Sequence, residues 1–158
     1  MSKKTNAVRK IEQQKITFEL IEYELTGDEL DGVTVADKIG YPVFVVYKTL
    51  LVTAGTNKHY VCIIPVHKEL NLKEVAKVVG EKKVDLLPLK ELQPITGYIR
   101  GGCSPIGMKK LFPTWIDASA ESLDFILVSG GKIGLQVKLS LPDLLQLTNG
   151  RIATIIKM

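Results

Sequence analysis

Histidine and cysteine are nearly missing from this chain, with two of each among 158 residues. That scarcity excludes most metal centres, which need clustered His, Cys and carboxylate ligands. It also leaves few ways to build a nucleophile–base pair of the Ser-His or Cys-His kind. Cys62 and Cys103 stand alone, without a second pair for a metal cluster, and suit a reducing compartment. Aromatic residues make up 6%, with a single tryptophan. No apolar run is long enough to span a membrane, the longest lying around residues 60–66. The opening "MSKKTNAVRKIEQQK" has no apolar signal core, so the expected location is the cytoplasm. A Walker motif and a dinucleotide-binding fingerprint are also absent.

What is present describes an ordinary globular domain, with 46% hydrophobic and 24% charged residues. The length suits one domain over residues 1–158, able to bury a core without disulfides or metal. The net charge of +4 mildly favours a polyanionic partner, although many small enzymes without one carry as much. Position says more than sum. Lys48, Lys109, Lys110, Lys132 and Arg151 lie beside glycine-rich turns or on strand-like segments. Lys73, Lys77, Lys82 and Lys83 fall on or just after an amphipathic helix and read as a solvated face.

The periodicity predicts a helix over residues 5–15 with Thr5 as N-cap, then a strand in "TFELIEYEL" and a polar loop in "TGDELDG". "VTVADKIG" is a short helix stopped by Gly40. Residues 43–66 read as a β-hairpin turning at "GTNK". Asn71 caps a helix that Gly80 ends, and a short strand at 84–86 and a helical turn at "PLKELQ" follow. "TWIDAS", "DFILVS" and "GLQVKLS" are strands, the last two antiparallel because their connection is too short for a crossover. Ser140 opens a helix in a capping box, and "RIATIIK" is a final strand. The expected fold is therefore mixed α/β, with short helices around a strongly curved, barrel-like sheet.

The densest stretch is "TGYIRGGCSPIG", residues 96–107. It holds two glycines, a thiol and a hydroxyl, yet no His, Asp or Glu to activate Cys103 or Ser104. His59 and His67 bracket "HYVCIIPVH" and are expected at the surface, away from this loop. Gly101 and Gly102 lack a Cβ, so their amides can approach a carbonyl or phosphate oxygen closely. A tight turn or bulge explains such a pair equally simply. Lys48 interrupts the apolar strand "VFVVYKTLLV", between Tyr47 and Thr49. It either faces solvent or stands on a concave face as a fixed charge for a phosphate or carbonyl.

"YKTLLV", "TGYIRGGCSPIG" and "LVSGGKIGLQV", in this order and approximate spacing, resemble the YbaK/EbsC family. That family is related to the editing insertion domain of bacterial prolyl-tRNA synthetase. The resemblance covers essentially the whole chain. It implies a free-standing deacylase of mischarged tRNA, with Cys-tRNA(Pro) as substrate, acting on the 3′ acceptor end without cofactor or metal. It places Lys48, Gly101 and Gly102 in the catalytic role and Tyr23, Tyr98, Ser104 and Ser129 around the substrate. Cys103 departs from the family, whose members often carry an aliphatic residue there. The implied mechanism uses the substrate's own thiol as nucleophile, which accounts for a loop without a base. A transient complex with prolyl-tRNA synthetase is the implied protein partner. Two alternatives remain at this point: a deacylase of Ala-tRNA(Pro) or another mischarged tRNA using water, and a non-catalytic module binding aminoacyl-tRNA or a nucleotide.

Overall fold

The computed structural model describes residues 4–24, 31–55 and 57–158. Helices and strands follow in the order α1 (Asn6–Gln13), β1 (Glu19–Glu22), α2 (Gly32–Ile39), β2 (Tyr47–Ala54), β3 (Lys58–Pro65), α3 (Leu72–Val79), β4 (Asp85–Leu86), α4 (Leu89–Thr96), β5 (Thr114–Asp117), β6 (Ile126–Ser129), β7 (Leu135–Leu139), α5 (Leu141–Thr148) and β8 (Arg151–Ala153). Four helices start where short polar side chains accept a free backbone amide. Thr5 caps α1 through Val8 N–H, Asp31 caps α2 through Thr34, Asn71 caps α3 through Glu74, and Ser140 caps α5 through Asp143. Gly40 and Gly80 end α2 and α3 in the left-handed conformation that glycine tolerates best.

The strands form two sheets. β1, β7 and β6 make an antiparallel three-stranded sheet, and β4-β2-β3-β5-β8 a mixed five-stranded one. Within the larger sheet β3 runs parallel to β5, and β5 parallel to β8. Alternation along β3 gives that sheet two apolar faces. Val61 and Ile63 enter a core closed by the smaller sheet, α1 and α5, while Cys62 and Ile64 enter one covered by Val75 and Ala76 of α3. Ile63 and Ile64 are completely buried, each contributing about 1.5–3 kcal/mol relative to an exposed side chain.

The mixed α/β architecture is as the sequence predicts. A closed barrel is not formed by the described residues, among which one parallel bridge, Val46 to Leu127, links the two sheets. On its other edge β2 pairs with β4 at Val52 and Thr53.

Several boundaries differ from the sequence reading for local reasons. The strand expected from residue 43 begins at Tyr47, because Val43–Val45 form a 3₁₀ turn after Pro42, which has no N–H to give a ladder. The turn expected at "PLKELQ" is the longer α4, which holds Pro94 and ends at the left-handed Gly97, with Leu92 and Ile95 packed against the core. The final strand is short, and the chain after it is held by Asp117 Oδ1 accepting from Ile155 N–H at 3.0 Å. His59 is half-buried rather than exposed, its ring edge-on to Phe112 at 5.7 Å. Most of the loop "TGDELDG" lies outside the described residues.

Candidate active site at the seam between the sheets

Where the barrel fails to close there is a cavity of about 430 Å³. The start of α2, the β2 edge, β4 and α4, the loop at Arg100 to Cys103, Tyr23 beyond β1, and Ser129 and Gln136 of the small sheet surround it. The site is thus a consequence of topology. Hydrogen bonds from Val66 N–H to Val46 C=O and from Leu87 N–H to Leu51 C=O fix the phase of β2. The odd-numbered residues turn their backbone groups away from β3, and Thr49 turns its own toward the seam.

Lys48 is half-buried in this wall. Burial pulls its amine below the ordinary lysine value, and Glu69 partly opposes that shift. Lys48 in turn helps to depress His67, after the larger effect of desolvation on that ring. Arg100 supplies the second cation of the lining. Asp31 is the acid there, and both its carboxylate oxygens are taken by Thr34, at 2.9 Å and 2.7 Å. The stretches 38–68, 92–116 and 125–142, which supply most of the wall, contain no Asp or Glu. The cavity is built to receive negative charge.

Five buried side-chain polar atoms find no hydrogen-bond partner among the described residues, and three of their residues line this cavity. These are Tyr23 Oη, Thr49 Oγ1 and Gln136 Oε1. Leaving such a group unpaired costs about 1–3 kcal/mol, so their convergence at one concave surface marks a place for a polar ligand. Ser129 also lines the cavity, its Oγ accepting from Gly131 N–H at 3.2 Å.

Lys48, Gly101, Tyr23 and Ser129 therefore meet at one cavity, together with Cys103. Gly102, expected in the catalytic role, and Tyr98 and Ser104, expected around the substrate, are not among the residues lining it. Gly102 spends its N–H on Ile99 C=O at 3.0 Å, and its missing side chain makes room for the 130–134 turn. A Cβ there would stand 2.8 Å from Lys132 Cα and 2.9 Å from Ile133 N. Tyr98 is buried and donates its hydroxyl to Ile106 C=O at 2.6 Å. Ser104 is completely buried and its Oγ accepts from Ile106 N–H. All three shape the loop from within. Gly101, at φ 84°, is the glycine of the pair that faces the cavity.

Thr49, Gln136 and Arg100 were not singled out by sequence reasoning. A signal existed for two of them, since Thr49 adjoins Lys48 and Gln136 is a polar residue inside the apolar strand "GLQVKL". Neither histidine lines the cavity. The Cys103 thiol is buried and pushed up to about 12 by desolvation, as is Cys62. Among the described residues no group of three His, Cys, Asp or Glu could hold a metal ion, and no helix is long and apolar enough to cross a membrane.

The fold is shared with solved structures. One, described as a "putative trans-editing enzyme for prolyl tRNA synthetase", superposes with a TM-score of 0.83 at 19% identity, over 99% of this chain and 100% of that one. Another, described only as a hypothetical protein, gives 0.87 at 22% identity over 96% and 99% of the two chains. These likenesses define the fold class, a mixed α/β domain whose cavity lies between its two sheets. Residues 31–147 match the aminoacyl-tRNA editing domain, and the chain belongs to that family. It is 45% identical over 152 residues to the Enterococcus faecalis protein named "Putative Cys-tRNA(Pro)/Cys-tRNA(Cys) deacylase EbsC", covering 96% of this chain and 93% of that protein.

Proposed function

We propose that this protein removes cysteine from mischarged Cys-tRNA(Pro), holding the ester in the seam while the substrate's own thiol attacks. The observation that carries this reading is a cavity with two cations and three unpartnered polar atoms, whose described lining has no nucleophile beside a base. Lys48 holds the negatively charged end of the ester-bearing nucleotide or the developing oxyanion. Gly101, free of a Cβ, lets its backbone come close to the carbonyl. Gln136 Oε1 and Thr49 accept hydrogen bonds from the α-ammonium group, and Tyr23 and Ser129 complete the polar contacts.

In the reaction the substrate sulfur bonds to its own carbonyl carbon. The bond from that carbon to the ribose oxygen breaks, and the thiol proton passes to the ribose oxygen. The products are tRNA with a free 3′ end and a cyclic thiolactone, which water opens to cysteine. Holding sulfur and carbonyl together makes the step intramolecular, a gain that in well-oriented systems reaches about 7–11 kcal/mol.

The CCA end is common to all tRNAs, so a site that reads only this end cannot choose tRNA(Pro) by itself. The proposal therefore includes a transient complex with prolyl-tRNA synthetase as the source of tRNA choice. The test presents purified protein with tRNA(Pro) charged with Cys, Ala, Ser or Pro and follows ester loss. Rapid loss of cysteine with little loss of proline is expected. Faster loss of alanine than of cysteine would instead favour water as the attacking group.

A further inference from the structure

The wall of the cavity continues outward onto a basic surface that the ester chemistry does not use. The loop that carries Arg100 lies against the β6–β7 turn: the vacant Cβ position of Gly102 is 2.8 Å from Lys132 Cα, and that of Gly131 is 3.0 Å from Tyr98 Cε1. Thr5 Oγ1 at the start of α1 donates to Gly130 C=O at 2.5 Å, tying α1 to the same turn. Farther along the loop Lys109 lays its stem beside Gly97 and reaches Pro94 C=O with Nζ. Lys110 sits over the Phe112 ring at 5.9 Å and shares a small depression with Lys10 of α1. Arg100, Lys132, Lys109, Lys110 and Lys10 thus stand on segments packed against one another, beginning at the cavity wall.

None of these five has an ion-pair partner among the described residues, whereas Lys4, Lys58, Lys77, Lys83, Lys138 and Lys157 are each within 4 Å of a carboxylate. The loop and turn come from the acid-free stretches 92–116 and 125–142. The lysines on and after α3, by contrast, alternate with Glu74, Glu81 and Asp85. Ile99 and Ile133, 48% and 37% exposed, add apolar contact at the tips of loop and turn.

We infer that this surface binds the RNA stem leading to the 3′ end, with Lys109, Lys110 and Lys132 contacting successive phosphates beyond the nucleotide held in the cavity. The inference rests on the aminoacyl-tRNA reading: an RNA whose end sits in the seam beside Arg100 has this face as its adjoining basic surface. Such contacts carry no base information and are read through their dependence on salt.

The experiment measures anisotropy of a fluorescent, uncharged acceptor-stem minihelix ending in CCA, titrated with wild-type protein at several salt concentrations. The Lys109→Ala, Lys110→Ala, Lys132→Ala triple variant and a Lys73→Ala, Lys82→Ala control are titrated alongside. The triple variant should bind at least tenfold more weakly, and its plot of log K against log salt should be shallower by about 3. The control should match wild type. Cleavage of cysteinyl-adenosine, which has no stem, should be unchanged in the triple variant. Wild-type affinity and slope in a folded triple variant, or an equal loss in the control, would overturn the inference. Failure of the deacylase reading itself would show separately, as a wild-type protein that cleaves neither cysteinyl-adenosine nor Cys-tRNA(Pro) while the binding data still report on the surface.

Discussion

The seam and the glycine loop are neighbours of opposite character. In the loop, polar atoms are satisfied internally: Thr96, Tyr98, Gly102 and Ser104 all bond to backbone groups of residues 92–106. In the seam, Tyr23, Thr49 and Gln136 each keep a buried polar atom without a partner among the described residues. A saturated network fixes a shape, and an unsaturated one waits for a ligand. The loop looks like the site in the sequence because its residue types are chemically conspicuous. The seam is the candidate site in space because buried polar atoms of its lining are left unpaired among the described residues.

That contrast separates two kinds of mutational outcome. The largest effect falls in the seam. Lys48→Ala should lower deacylation of Cys-tRNA(Pro) by roughly 10²–10³. Its melting temperature should hold or rise, since the variant removes a partly desolvated charge. A folded Lys48→Ala protein with near-normal turnover would remove Lys48 from the account.

The next effect belongs to the loop. Gly102→Ala should destabilise the fold by about 1–3 kcal/mol, because the new methyl meets the backbone of Lys132 and Ile133. Tyr98→Phe should cost about 1–3 kcal/mol by leaving Ile106 C=O without its donor. Urea unfolding and kcat/KM measured on one preparation should show stability falling while the folded fraction keeps its turnover. A loss of turnover at full stability would return these residues to the substrate.

The smallest change in stability is expected at Thr49. Thr49→Val removes a hydroxyl that has no hydrogen-bond partner among the described residues. Unfolding free energy should stay level or rise slightly, while KM for the charged tRNA increases several-fold. Equal KM for variant and wild type would leave Thr49 outside the substrate contacts.

Much of the fold is legible in the chain. Thr5, Asn71 and Ser140 announce their helices because an N-cap is a local device, and "GGKI" announces an antiparallel pair because a short link permits nothing else. The strand start at residue 43 is misread because Pro42 initiates a 3₁₀ turn that apolar alternation conceals. Lys48 is legible as a charge in an apolar strand. Gln136 shows in the same way as a polar residue in an apolar strand, but its place at the cavity depends on β1, β2 and β7 coming together, which no pattern within one strand encodes. That Gly102 and Ser104 lie outside the cavity lining is hidden in the sequence for a related reason. Glycine suits both a substrate's approach and a neighbouring backbone's, and only packing shows which one is present.

The central claim is that the reacting sulfur belongs to the substrate. Both protein thiols are buried and pushed up to about 12, so at neutral pH almost none is thiolate. The direct test is the Cys62→Ser, Cys103→Ser double variant, assayed side by side on Cys-tRNA(Pro) and Ser-tRNA(Pro). Ready cleavage of the cysteinyl ester, with the seryl ester cleaved far more slowly, is the predicted result. An inactive but folded double variant, or equal rates on the two esters, would contradict it.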